Sequence, residues 1–211
     1  MSISISSILS GATSVIISII QSYGYLGIFG LMLLEGSSLP LPSEVIIPLA
    51  GYFSAQGLLS LPLAFTAVLA GSIGGLLIDY YIGFFLGNGV VYKHLRFFHV
   101  RQETLDNFDA WFNRNAVAAV FLTRFVPEIR TLMSIPAGFA KMPMRKFLAY
   151  SIAGNLIWDT TLILFGYYLY TAQSNIAVVL GAIGIFAILM YMIFRYALKS
   201  MKKGAVQANK G

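Results

Sequence analysis

Thr123-Arg-Phe-Val-Pro-Glu-Ile-Arg130 interrupts a stretch, residues 115–140, that is otherwise almost wholly apolar. A second apolar stretch, residues 23–57, is interrupted by Leu39-Pro-Leu-Pro-Ser-Glu44. Proline removes a backbone donor and restricts the residue before it, so Pro40, Pro42 and Pro127 each predict a helix break at a hairpin tip. The pieces beside each break hold about 10–16 residues, whereas a membrane crossing takes about 20 at ~1.5 Å per residue. Two half-helices meeting at a polar tip predict a re-entrant hairpin. Such backbone is tolerated at membrane depth only where protein or a water-filled cavity surrounds it.

The rest of the chain supports a membrane setting. Of its 211 residues, 58% are hydrophobic and only 10% charged, against about 45–50% and 25% in soluble domains. So few charges cannot cover a soluble surface of this size, which excludes a soluble enzyme, a disordered chain and a coiled coil. Residues 62–87, 147–170 and 175–198 are each long enough to span. Residues 3–20 carry Ile5, Ile8, Leu9, Ala12, Ile16, Ile19 and Ile20 on one helical stripe. That pattern fits an interfacial helix or a further span, and no charge decides between them. The start of the chain has no basic n-region and is read as mature sequence.

The 22 charged residues sort into two groups. Fifteen mark surfaces: a connector at 92–114, a turn at 141–146 (Lys141, Arg145, Lys146) and a basic tail at 199–211 with Arg195 just before it. All three groups are basic, while the linkers 54–61 and 171–174 carry no charge. The positive-inside rule therefore places the connector, the turn and the C-terminus on the cytoplasmic side of the cell (plasma or inner) membrane. The net charge of +6 is read this way and not as a nucleic-acid footprint. Phe97, Phe98, Phe108, Trp111 and Phe112 in the connector predict an amphipathic helix on the membrane surface, where His94 and His99 also lie. With no cysteine and no histidine in an apolar segment, no nucleophile–base pair or metal site is evident. The chain is read as a non-enzyme without cofactor or metal.

Seven charges remain inside apolar sequence: Arg124, Arg130, Glu35, Glu44, Asp79, Glu128 and Asp159. Each costs about 2.5–3.5 kcal/mol at the bilayer centre on insertion scales, so each asks for a function or a partner. Arginine stays protonated in a low dielectric and offers a planar fork to a phosphate. Arg124 and Arg130 are six residues apart, about 120° off one face of an unbroken helix. The break at Pro127 lets both address one cavity, where the following half-helix would add free amide groups. The competing reading pairs these arginines with Glu35, Glu44 or Glu128. A carboxyl group can carry a proton as well as a charge, which makes Glu35 and Glu44, then Asp79 and Asp159, candidates for proton coupling or gating. Glu128 lies between the arginines and is assigned to tuning them.

The two halves also echo each other. Pro48-Leu-Ala-Gly-Tyr-Phe53 resembles Pro136-Ala-Gly-Phe139, Gly75-Leu-Leu-Ile-Asp79 resembles Asn155-Leu-Ile-Trp-Asp159, and Gly83-Phe-Phe-Leu86 resembles Gly166-Tyr-Tyr-Leu169. With one crossing between the hairpins, the order predicts an inverted repeat, a pattern of transporter folds with a site near the midplane. The expected fold is an all-α membrane protein in a single membrane domain. Each repeat is a re-entrant helical hairpin plus a transmembrane helix, with a further C-terminal span and an N-terminal helix.

Glu35-(x)4-Pro40-x-Pro42-Ser-Glu44, Gly71-(x)2-Gly-Gly75 with Asp79-Tyr-Tyr-x-Gly83-(x)3-Gly87, and Phe121-x-Thr-Arg-Phe-x-Pro127-(x)2-Arg130 followed by Ala137-Gly138 together resemble the DedA family, the SNARE-associated or VTT-domain group. The resemblance covers about residues 20–170. It implies lipid translocation: of undecaprenyl phosphate in bacterial members, of phospholipids in others, with dependence on proton-motive force. It also implies that Glu35, Glu44, Arg124 and Arg130 match functionally required positions. The expected partners are membrane lipids with a phosphate headgroup and protons, not nucleic acid, with a homo-oligomer left open. The alternative is a proton-coupled small-anion transporter or channel.

Overall fold

A computed structural model describes residues 5–39, 41–86, 116–126 and 129–171. The expected amphipathic connector, the span at 175–198 and the basic tail lie outside the described residues, as do Pro40, Pro127 and Glu128. The described chain is helical throughout, without a strand. It contains α1 (Ile5–Gly36), α2 (Ser43–Ala55) and α3 (Leu61–Leu86). After these come α4 (116–123), α5 (Ile129–Leu132), α6 (Ser134–Phe139) and α7 (Met144–Thr171). Among the described residues three segments are long and apolar enough to cross a membrane: Thr13–Gly36, Leu61–Phe85 and Met144–Thr171. Side chains such as Leu26 and Phe85, 76% and 73% exposed, suit contact with lipid and not with water.

The first of these segments is not one rod. Gly24 has φ +54° and ψ −125°, outside the helical region and readily adopted only by glycine. Residues eight apart on a straight helix are about 12 Å apart. A Cβ placed on Gly27 would lie 2.7 Å from the Ile19 carbonyl oxygen, so the chain folds back sharply at Gly24. The turn falls at Gly24, inside the 23–57 segment and close to the boundary expected between residues 20 and 23. It leaves a short arm to Gly36 packed against another short helix, α2, which begins at Ser43. Tyr25 Oη accepts the Ser60 N–H at 2.7 Å, tying the start of this arm to the linker beyond α2.

The contacts divide the described chain into two units. The first holds α1, α2, α3 as far as Gly75, and α7 from Leu156 onward. Its core is Ile28, Met32, Ile46, Ile47 and Ala50, all fully buried. Here α3 meets α1 at close range. A Cβ on Gly71 would come 2.7 Å from the Met32 Cβ, and one on Gly75 would come 2.5 Å from the Gly36 Cα. The absence of side chains at such points lets helix backbones approach where hydrophobic driving force between them is lacking. The α2 helix meets α7 in the same way: a methyl on Gly51 would overlap the Ile163 carbonyl, and one on Gly166 would overlap that of Pro48.

The second unit holds α3 from Leu76, α4 to α6, and α7 as far as Asn155. Its short helices close on α3 through another pair of glycines. A methyl on Gly138 would overlap the Tyr80 carbonyl, and one on Gly83 would overlap that of Ile135. The α6 helix ends with Lys141 at φ +50°, where Met142 N–H donates to Ala137 O (3.0 Å) and Lys141 N–H to Gly138 O (2.9 Å). This closes the last carbonyls of the helix as a Schellman motif does. Tyr80 Oη then donates to the Met142 carbonyl at 2.6 Å, and its ring stacks on Phe147 with centroids 4.7 Å apart.

Candidate functional site

The interruption at residues 123–130 lies in the second unit, between α4 and α5. Residues 124–126 continue α4 as a tight turn, with Arg124, Phe125 and Val126 each bonding three residues back. Helical bonding resumes at Arg130, whose N–H donates to Val126 O at 3.0 Å. The amide of Arg130 is thus occupied by the chain itself, unlike the free amides expected beyond Pro127. The next helix continues almost without pause, with Met133 bonded to Ile129 and Ala137 to Met133.

Both arginines are buried: Arg124 is 2% exposed and Arg130 3%. Arg124 reaches across the tip. Its Nη1 donates to the Arg130 carbonyl oxygen at 2.5 Å. Its Nη2 donates to Ser134 Oγ at 3.1 Å and to Ser151 Oγ at 2.9 Å. The guanidinium carbon sits 5.8 Å from the centre of the Phe147 ring, within cation–π range. The stem lies on Gly154, where a Cβ would be 2.7 Å from Arg124 Cβ and 2.8 Å from Cγ. One side chain therefore joins α4, the α5–α6 segment and α7. The break brings Arg124 to the backbone of Arg130, six residues on, as an unbroken helix could not.

The candidate carboxylates are placed as follows. In the first unit, Glu35 is 4% exposed at the end of α1, Asp159 is fully buried in α7, and Glu44 is exposed in the first turn of α2. In the second unit, Asp79 is 1% exposed in α3. Pro42 precedes α2 in an extended conformation, and its carbonyl accepts the Val45 and Ile46 amides at 2.9 and 3.1 Å. Among the described residues no group of three or more His, Asp or Glu stands close enough to hold a metal ion.

Sequence reading missed the two serines. Ser134 and Ser151 are both fully buried, as polar side chains inside a membrane protein are when they have a partner. A signal for Ser151 does exist. Phe147, Ser151, Gly154 and Trp158 are spaced by four, three and four residues, one face of α7. A hydroxyl and a glycine on that otherwise apolar face mark where something polar has to fit.

Buried arginines at a helix break, buried carboxylates and apolar helices of spanning length define an all-helical integral membrane protein. The VTT domain matches residues 41–168, and the chain belongs to that family, the DedA group its motifs resemble. An "alkaline phosphatase-like protein" of Lactococcus lactis subsp. lactis is 33% identical over 201 residues, covering 86% of this chain and 92% of that one. "Undecaprenyl phosphate transporter A" of Staphylococcus aureus is 32% identical, covering 85% and 89%. The protein of the same name from Bacillus subtilis is 28% identical, covering 80% and 83%. No solved structure matches the chain significantly.

Proposed function

We propose that this protein is a flippase that moves a polyprenyl-phosphate carrier lipid of the undecaprenyl-phosphate type across the membrane, driven by a proton gradient. The observation that carries this reading is the buried arginine pair at the break between α4 and α5. The names of the Staphylococcus and Bacillus relatives supply the substrate class. A phosphate headgroup leaving water must exchange its hydration for fixed donors and positive charge. Arginine does this by bidentate hydrogen bonding and does not lose its charge on burial. In this reading Arg130 contacts the headgroup while the prenyl chain stays in lipid. Glu35, Asp79 and Asp159, buried in apolar helices, are the proton-coupling and gating groups, with Glu44 and Glu128 assigned beside them. The hairpins are taken as re-entrant and the two halves as an inverted repeat. The basic C-terminal tail is assigned to the cytoplasm.

The test is reconstitution of the purified protein into liposomes carrying labelled undecaprenyl phosphate or labelled phospholipid, with and without an imposed proton gradient. The expected result is movement of the polyprenyl phosphate between leaflets, accelerated by the gradient. Movement no faster than in protein-free liposomes would overturn the reading. Uptake of inorganic phosphate or sulfate without lipid movement would replace it with small-anion transport. Release of inorganic phosphate from the lipid would replace it with the hydrolysis suggested by the Lactococcus protein's name.

A further inference from the structure

We propose that Ser134 and Ser151 are positioning residues of the headgroup site, and that Arg124 acts through them as a clamp on the tip and not as a phosphate ligand. The second half of this inference rests on the phosphate reading above. The headgroup site in the first half rests on it too, and the hydrogen bonds of the clamp stand on geometry alone.

The guanidinium of Arg124 directs three N–H groups to three neutral oxygens on two other segments. Both N–H groups of Nη2 are taken by the two serines, one on α6 and one on α7. The Nη1 bond goes to the carbonyl of Arg130 itself, so the clamp fixes the backbone that carries the second arginine. Phe147 covers one face of the group and Gly154 receives its stem, which leaves Arg124 seated against α7. Hydrogen bonds from a charged donor are stronger than neutral ones, and serine-to-alanine changes remove the acceptor with almost no change in volume. A lysine cannot replace this group: its single nitrogen has no planar fork to reach three acceptors in fixed directions. Arg130, whose carbonyl the clamp holds, is the arginine that the phosphate reading above assigns to the headgroup.

The chain has no cysteine, so a single introduced thiol reports cleanly. Thr131, 9% exposed and next to Arg130, is the reporter position, as Thr131→Cys. In the full-length protein in liposomes, Ser134→Ala with Ser151→Ala is expected to raise the KM for undecaprenyl phosphate about tenfold or more while changing kcat less. The same pair is expected to speed labelling of the thiol introduced at position 131 several-fold. Arg124→Lys is expected to match Arg124→Ala in both readouts. Ser151→Thr, which keeps the hydroxyl, is expected to restore protection of the thiol. The proposal is overturned if the double serine variant keeps wild-type KM and labelling while Arg130→Ala abolishes transport. It is equally overturned if Arg124→Lys keeps wild-type transport and protection, because a charge alone would then suffice. If the wild-type protein moves no polyprenyl phosphate, the flippase reading fails by itself. The labelling comparison still decides the clamp.

Discussion

The short helices of the two units share a way of packing and differ in charge. In the first unit Gly51 sits against Ile163 and Tyr167 of α7, and Gly166 against Pro48. In the second, Gly138 sits against Tyr80 and Phe84 of α3, and Gly83 against Ile135. The offsets are the same: Gly51 and Gly138 each meet the residues three before and one after the partner glycine, and each partner meets the residue three before Gly51 or Gly138. The side chains do not follow this equivalence. The arm and helix around the first tip carry Glu35 and Glu44, whereas the second tip carries Arg124 and Arg130. One packing device thus supports one region that carries carboxylates and one that carries arginines.

The largest expected effect breaks the difference in charge. Arg130→Ala is expected to abolish lipid movement in proteoliposomes while the protein still inserts and runs as a single species. Transport at the wild-type rate in this variant would remove Arg130 from the headgroup site. Glu35→Gln tests the other side. It is expected to leave some lipid movement but to remove the acceleration by an imposed proton gradient, since the amide cannot take up or release a proton. A gradient response equal to wild type would exclude Glu35 from coupling.

The next prediction tests the likeness. Gly83→Ala and Gly166→Ala each force a methyl against a carbonyl, and overpacking of this kind costs about 1–3 kcal/mol. Both are expected to lower the thermal midpoint in detergent by a similar amount. A large loss in one and none in the other would show that the two crossings do not carry equal weight.

Much of this scaffold was legible from sequence because apolar length and proline are local signals. The span placed at 62–87 is the helix Leu61–Leu86, and that placed at 147–170 is Met144–Thr171. The breaks expected at 39–44 and 123–130 overlap the non-helical residues 41–42 and 124–126. The fold-back at Gly24 was not legible beyond a boundary, since nothing distinguishes that glycine from Gly27 or Gly30 in sequence. The internal similarity was legible only in part. Aligning the glycines by their contacts puts Asp79 four residues before Gly83 and Asp159 seven before Gly166, so the aspartates do not share a register. Short matches read one at a time hid that shift of about one helical turn. The arginines announced themselves as charges in apolar sequence. Ser134 and Ser151 are ten and 27 residues from Arg124 and acquire meaning only when the chain folds back.

The smallest expected effect lies where the two crossings differ within their likeness. The residue three before the partner glycine is Tyr80 in the second unit and Ile163 in the first. Both are buried, at 3% and 2% exposed. Tyr80 also donates its hydroxyl to Met142, at the end of the Schellman turn that closes α6. Tyr80→Phe keeps the ring on Phe147 and removes that one bond, leaving the Met142 carbonyl with one partner fewer. The expected loss is about 1 kcal/mol, the usual net value of a neutral hydrogen bond, read as a small fall in thermal midpoint with transport retained. If the second crossing depends on this bond as well as on its glycines, Tyr80→Phe combined with Gly83→Ala will cost more than the sum of the two. Additive losses would instead mean that the glycine contact holds the crossing without the tyrosine, as it must in the first unit, where isoleucine has no hydroxyl to offer.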